Sequence, residues 1–323
     1  MSKPSTPAAD ALFSDALFSD QWLTLREPAD HLARDAQLAH AADRWLTQRA
    51  TPARPLEARP LEARPFETRP FETRRTLVDL GCGSGSNPRY LAPRLHGAQH
   101  WRLIDHDAAL LAQARLRCEP LTSADGQPIH LETRNLSLAD AWKHGLQGAD
   151  LVTASALFDL LTAADIEALA DACRANDCAV LFALSVDGQI RFHDPSGTPL
   201  SSDDDRFMLA ALQAHQQRDK GGGPAMGTQA PRHLRESFHR RGYHIREATT
   251  PWRLGSESLA LAEALLAGWR TALHEQLPQQ RSRVDRWHAQ RLEGLMREKL
   301  TVTVGHRDLF ATPIANAVPG APE

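Results

Sequence analysis

The chain has 323 residues, of which 42% are hydrophobic, enough to bury the core of one large domain or two smaller ones. Its formal charge of -3 argues against bulk electrostatic attraction to nucleic acid or to an anionic membrane. The four cysteines lack C-x-x-C or metal-ligand spacing, and no apolar run approaches the roughly 18 residues of a membrane span. We therefore expect a cytoplasmic protein with reduced cysteines and no membrane partner.

Two tandem repeats and a helical segment precede the first strand. Ala-Leu-Phe-Ser-Asp occurs twice in residues 11–20, and residues 53–73 repeat Arg-Pro-Leu-Glu or Arg-Pro-Phe-Glu with a period of five. A proline at every fifth position prevents a continuous helix, so we expect this second repeat to form an extended linker. Residues 21–48 carry a helical apolar pattern and predict an N-terminal helix.

The most informative motif is a short apolar strand that runs into alternating glycines. It reads Thr-Leu-Val-Asp-Leu-Gly-Cys-Gly-Ser-Gly-Ser-Asn from residue 76, with Asp79 inside the strand and glycines at Gly81, Gly83 and Gly85. Glycines let a ligand approach the backbone closely and adopt positive φ at little cost. Asn87 is predicted to cap the following helix, whose first amides point toward the same space.

The glycine spacing differs from that of other nucleotide-binding loops. It is neither the G-x-G-x-x-G of dinucleotide folds nor the P-loop pattern with its lysine. The motif instead resembles motif I of the class I S-adenosylmethionine-dependent methyltransferases. This resemblance implies an α/β fold with a doubly wound, mostly parallel seven-stranded sheet and an antiparallel last strand. It also implies S-adenosyl-L-methionine as the cofactor.

Polar residues follow the next two predicted strands. Asp105 ends the run His-Trp-Arg-Leu-Ile, where a doubly wound sheet places a carboxylate that can accept both hydroxyls of a ribose. Asp107 is better suited to cap the next helix, and His106 between them is assigned to the predicted cofactor site. The resemblance further implies that the Asn135 amide bonds the adenine amino group and that the backbone amide of Leu136 meets the ring.

The fourth strand, residues 149–155, resembles the family's motif IV and ends at Ser155. The resemblance implies that this segment borders the methyl-transfer site. Ser155 is accordingly assigned to the cofactor, and Phe158 and Asp159 to the substrate. The similarity extends from about residue 76 to residue 188.

The region after the fifth strand, residues 178–186, supplies the candidates for acceptor chemistry. His193 and His215 are candidate general bases, since neutral imidazole takes up a proton near neutral pH, and Lys220 is a candidate partner for an acidic acceptor group. Three glycines follow Lys220. They predict either a loop that closes over substrate or a helix C-terminus with a glycine stop, and both readings stay open.

The remaining pattern completes the predicted fold. A sixth strand is expected over residues 243–250 and an antiparallel seventh strand beside it from residue 300. The expected organisation is a helical extension over 1–50, a disordered repeat linker over 51–75, a methyltransferase domain over 76–311 with a helical insertion over 256–299, and a disordered tail over 312–323.

Motif exclusions narrow the function. None of the fifteen histidines has zinc-site spacing, and the chain lacks a G-x-S-x-G elbow, so neither a metal site nor a hydrolase is expected. DNA is not expected as the substrate, because the (D/N)-P-P-(Y/F) and Pro-Cys signatures are absent. We expect methyl transfer to an O, N or C atom of a small molecule. The alternatives are a protein or RNA methyltransferase and an inactive cofactor-binding regulatory protein.

Overall fold

A computed structural model of the chain describes residues 19–49, 74–218 and 223–314. The pentapeptide repeat up to residue 73 and the tail from residue 315 lie outside these ranges. Within them, no helix is long and apolar enough to cross a membrane.

The N-terminal segment forms two helices where the sequence predicts one. They are α1 (Asp20–Ala33) and α2 (Ala36–Arg49). Arg34 between them has ψ of 141°, which is an extended conformation, and the Asp35 carboxylate accepts the Leu38 N–H at 2.8 Å. This local capping bond starts a second helix, so the chain turns instead of continuing.

The first half of the sheet alternates strands with helices. Its elements are β1 (Arg75–Leu80), α3 (Ser86–Leu91), β2 (Gln99–Asp105), α4 (Ala108–Cys118), β3 (His130–Asn135), β4 (Leu151–Ser155), α5 (Ala163–Ala175) and β5 (Ala179–His193). A short helical segment, Leu138–Asp140 followed by a π-turn at Ala141–Gly145, connects β3 to β4. Strands β1 and β4 are almost wholly buried, as expected for parallel strands covered by helices on both faces.

The second half adds helices and antiparallel strands. Its elements are β6 (Pro199–Leu200), α6 (Asp203–Gln216), α7 (Ala230–Arg240), β7 (Tyr243–Thr249), β8 (Trp252–Leu254), α8 (Leu259–Gln276), α9 (Arg281–Met296) and β9 (Thr301–Pro313). Strand β9 continues past residue 311, because Thr312 and Pro313 pair with His244 and Tyr243 of β7.

The strand order is β3-β2-β1-β4-β5-β9-β7, with β6 paired to β5 and β8 to β9. Strands β1 to β5 are parallel to their neighbours in this order, whereas β9 is antiparallel to both β5 and β7. The predicted fold class is therefore confirmed, including the antiparallel last strand. This last strand, β9, lies between β5 and β7. With the short strands β6 and β8, the sheet has nine strands.

Strand β5 continues far beyond its parallel neighbour. It pairs with β4 only as far as Ser155↔Ala183 but with β9 as far as His193↔Thr301, with irregular register between Phe182 and Ile190. The ribbon of β5 and β9 thus extends past the carboxyl ends of the parallel strands. We define residues 187–216 and 252–304, which this ribbon carries, as the cap.

The cap has a hydrophobic core of its own. Phe192 of β5 packs against Trp287 of α9 with ring centroids 6.2 Å apart, and both side chains are fully buried. Trp22 and Leu25 of α1 pack against the same cluster. Helix α1 therefore bridges the N-terminal segment and the cap.

Candidate functional site

The glycine loop after β1 adopts the backbone conformation that its composition predicts. Gly81, Gly83 and Gly85 have φ of 58°, 51° and 85°, values that disfavour residues with a Cβ. Helix α3 begins at Ser86 with Gly85 at its N-cap position, so the prediction that Asn87 caps this helix is wrong. Because the left-handed glycine already ends the loop, Asn87 lies within the first turn and its side chain is free to point inward.

Asp79 is buried beneath this loop. One carboxylate oxygen accepts hydrogen bonds from Asn87 Nδ2 at 2.6 Å and Thr153 Oγ1 at 2.7 Å. The other oxygen, Oδ2, accepts none from any described residue. Burial raises the pKa of Asp79 to about 6, although the two hydrogen bonds and nearby Arg34 favour the ionised form. A cationic group beside Oδ2 would satisfy it.

Asp105 ends β2 and braces the glycine loop. Its carboxylate accepts the Gly83 N–H at 2.8 Å and the Asp107 N–H at 3.0 Å, and the residue is only 7% exposed. Asp107 caps α4 through its own side chain, as predicted. His106 is largely exposed, with Nδ1 3.3 Å from the Asp105 carboxylate. The structure thus brings Asp79, the glycines and Asp105 together at the carboxyl edge of the sheet.

Asn135 and Leu136 lie on the outer side of this edge. Asn135 is exposed, and its Nδ2 donates to the His106 carbonyl at 2.9 Å. The Leu136 N–H donates to the Asp105 carbonyl at 3.0 Å, so this amide is engaged within the protein. The pair joins β3 to β2 beside the predicted ribose carboxylate.

The end of β4 presents a different arrangement. Ser155 is half-buried, and Ala156 after it has φ of 52°, a conformation uncommon for a residue other than glycine. The Phe158 ring is fully buried and packs against Phe182 with ring centroids 4.5 Å apart. Asp159 is half-buried. Phe158 therefore packs in the core beneath the edge.

The two predicted histidine bases lie apart from each other. His193 ends β5 within the cap, with Nδ1 3.5 Å from Thr303 Oγ1. His215 ends α6, and its Nε2 is 2.9 Å from the Glu275 carboxylate of α8. Lys220 lies outside the described residues. Among the described residues, the two histidines thus have different partners, Thr303 for His193 and Glu275 for His215.

Helix α1 contributes contacts that the sequence motifs do not indicate. An added Cβ on Gly83 would lie 3.0 Å from Leu23, so α1 covers the glycine loop directly. Arg34 donates to Asn87 Oδ1 at 2.7 Å, and His31 Nε2 lies 3.1 Å from the Ser86 hydroxyl. In the sequence, the residues that make these contacts are indicated only by charged side chains in a predicted amphipathic helix.

Comparisons with known proteins complement this geometry. Residues 77–176 match the family model described as a methyltransferase domain, whereas no curated protein sequence matches the chain.

Solved structures resemble the chain at low identity. A cyclopropane synthase from Mycobacterium tuberculosis is 15% identical, with 93% of this chain and 98% of that chain covered and a TM-score of 0.44. A methyltransferase from Geobacter sulfurreducens, solved with S-adenosyl-L-homocysteine, is 18% identical, with 92% and 99% covered and a TM-score of 0.39.

The family match begins in β1 and ends just after α5, so it contains the glycine loop, Asp105 and the ends of β3 and β4. The strand order outside it, with β9 antiparallel between β5 and β7, completes the sheet that motif I predicted. Residues 77–176 are therefore identified as a methyltransferase domain, and the predicted cofactor loop lies within it.

Proposed function

We propose that this methyltransferase acts on an O, N or C nucleophile of a small molecule. The supporting observation is that helix α1 lies over the glycine loop at the carboxyl edge of the sheet and also packs against the cap. Leu23 of α1 lies over Gly83, while Trp22 and Leu25 of the same helix pack against the core of the cap. A loop covered in this way favours an acceptor that is small enough to fit beside α1, and it disfavours a large polymer.

The cofactor fits the charges at this edge. S-adenosylmethionine carries a sulfonium and an ammonium group, and Asp79 supplies a buried carboxylate oxygen without a partner among the described residues. We assign the cofactor's ammonium group to Asp79 and its ribose hydroxyls to Asp105. The remaining proposed cofactor contacts are Gly81, Gly83, Gly85, Asn87, His106, Asn135, Leu136 and Ser155.

The protein's main contribution to the reaction is alignment. The sulfonium methyl is already activated, so the site has to hold donor and acceptor in line and exclude water. A base is needed only when the acceptor must lose a proton. His215 is the better oriented candidate, since Glu275 fixes its ring, and His193 is the other. Asp159 and Lys220 are the proposed acceptor contacts.

The test is transfer of a labelled methyl group from S-adenosylmethionine into three separated fractions: a small-molecule extract, protein and RNA. We expect label in the small-molecule fraction only. Gly83→Val is the control, because a side chain at φ of 51° would be strained and would meet Leu23, so cofactor binding should be lost.

Label in the protein or RNA fraction would overturn the proposed acceptor class. Cofactor binding by calorimetry without transfer into any fraction would instead indicate a regulatory protein that has lost turnover.

A further inference from the structure

A continuous series of buried polar groups connects the cofactor loop to the end of β5. Asp79 accepts from Asn87, and Asn87 accepts from the Arg34 guanidinium at 2.7 Å. The other side of Arg34 faces Asp308 of β9, with Nε 3.7 Å from Oδ2. Asp308 Oδ1 in turn accepts the Leu184 N–H at 2.8 Å. Four parts of the chain that are distant in sequence meet in this series.

Leu184 has a strained backbone conformation. It has φ of 55° although it is a leucine, and it is fully buried. Its preceding residue, Ala183, pairs with Ser155 at the point where β4 ends. A left-handed non-glycine residue persists only where surrounding bonds fix it, and such residues cluster at functional sites. Asp308 provides that bond, so the shape of this turn depends on the position of the Asp308 carboxylate.

Asp308 and Arg34 form a buried ion pair. The two side chains are 2% and 3% exposed, so water screens their attraction little. Asp308 is also held by Thr250 Oγ1 at 2.9 Å and the Asp35 N–H at 3.2 Å. Arg34 itself stacks on the Tyr90 ring, with its guanidinium carbon 4.5 Å from the ring centroid. One cation thus faces acids on both sides, directly at Asp308 and through Asn87 at Asp79.

We propose that Arg34 and Asp308 are positioning residues for methyl transfer, which set the cofactor loop and the Leu184 turn in one fixed relation. The planar guanidinium donates to Asn87 while its other side faces Asp308, an arrangement that a lysine ammonium holds less rigidly. Cofactor bound over Asp79 fixes Asn87, Asn87 fixes Arg34, and Arg34 fixes Asp308 against Leu184. The Leu184 turn is therefore ordered when the cofactor is present. This inference rests on the methyl-transfer reaction but not on the class of acceptor.

The test uses S-adenosylhomocysteine and the whole chain, and needs no acceptor. Hydrogen exchange is followed by mass spectrometry in a peptide containing Leu184, with and without this ligand. In the wild type we expect the ligand to slow exchange there at least several-fold. In Arg34→Met and Asp308→Asn we expect that slowing to disappear, and in Arg34→Met we expect ligand affinity by calorimetry to fall ten-fold or more.

The matched control is Arg291→Met in the cap. Arg291 forms a buried ion pair with Asp205, away from the loop, so its loss should destabilise the protein without altering either readout. Arg34→Lys, which keeps the charge, should recover part of the slowing and keeps the test available if Arg34→Met fails to fold. The proposal would be overturned if the ligand slowed exchange at Leu184 in Arg34→Met or Arg34→Lys as much as in the wild type. It would also be overturned if Arg291→Met lost this slowing to the same extent as Arg34→Met.

Discussion

Replacing Asp79 with asparagine should stabilise the empty protein and weaken its binding of the cofactor. The Asp79 side chain is buried, and burial raises its pKa from an ordinary 3.8 to about 6. An asparagine keeps an oxygen that can accept from Asn87 and Thr153 but has no charge to desolvate. The substitution therefore removes a cost of folding while retaining the local hydrogen bonds.

The sign of the effect follows from proton binding. The pKa of Asp79 is higher in the folded than in the unfolded chain, so the folded state binds more protons between these values. The free energy of unfolding consequently falls as pH rises from about 3.8 to about 6. At pH 8 the ionised side chain costs roughly 3 kcal/mol, and at pH 5, where it is mostly protonated when folded, roughly 2 kcal/mol.

The measurement is urea unfolding of the wild type, Asp79→Asn and the control Glu257→Gln at pH 5 and pH 8. Glu257 is exposed, so its variant should follow the wild type. The stability advantage of Asp79→Asn should grow by roughly 1 kcal/mol between pH 5 and pH 8. Calorimetry at pH 8 should show S-adenosylmethionine binding weakened ten-fold or more, since a charge-assisted hydrogen bond contributes about 1.5 to 3 kcal/mol.

Two results would refute this reasoning. A variant that is no more stable than the wild type at pH 8 would show that the folded site compensates the Asp79 charge without ligand. Unchanged cofactor affinity would show that Asp79 does not face the cationic part of the cofactor.

Three further outcomes are expected. Asp105→Ala should weaken cofactor binding in calorimetry. It should also lower the unfolding free energy by about 1 to 3 kcal/mol, because the Gly83 and Asp107 amides lose their acceptor. Unchanged stability would contradict this bracing role. Gly85→Ala should destabilise more than Gly126→Ala in urea unfolding, since both have positive φ but only the Gly85 Cβ would meet Cys118, at 2.6 Å; equal losses would exclude the packing contribution. Deleting residues 58–69 of the repeat should leave cofactor affinity unchanged, because proline-rich pentapeptides bury little apolar surface, and a lost calorimetric signal would show that the repeat contributes to the site.

The sequence predicts the architecture well where period and composition are strong. The apolar runs before Gly81 and before Asp105 are strands as expected, and the alternating glycines adopt positive φ. The antiparallel last strand follows from the family resemblance at motif I. In each case a local pattern or a shared motif carries the information.

The rest depends on tertiary contacts that no local pattern encodes. Arg34 is one charged residue in a predicted helix, yet in the structure it breaks that helix and joins two buried acids. Asp308 lies in a predicted strand, and its role depends on Leu184, which is far away in sequence. For Phe158 the local pattern is ambiguous, because an aromatic residue after a strand can line a pocket or pack in a core. The structure places its ring in the core.

The place of β9 in the sheet has a consequence for biosynthesis. Because β9 lies between β5 and β7, β7 has no strand partner and β5 lacks the partner on one of its edges until β9, a strand of 13 residues, has been made. A growing chain therefore carries the long β5 edge unpaired while the cap helices are still emerging, and such edges promote association between chains. Ribosomal stalling or a nonsense codon just before residue 301 should thus yield insoluble protein, and a chaperone that shields β5 would act late in translation.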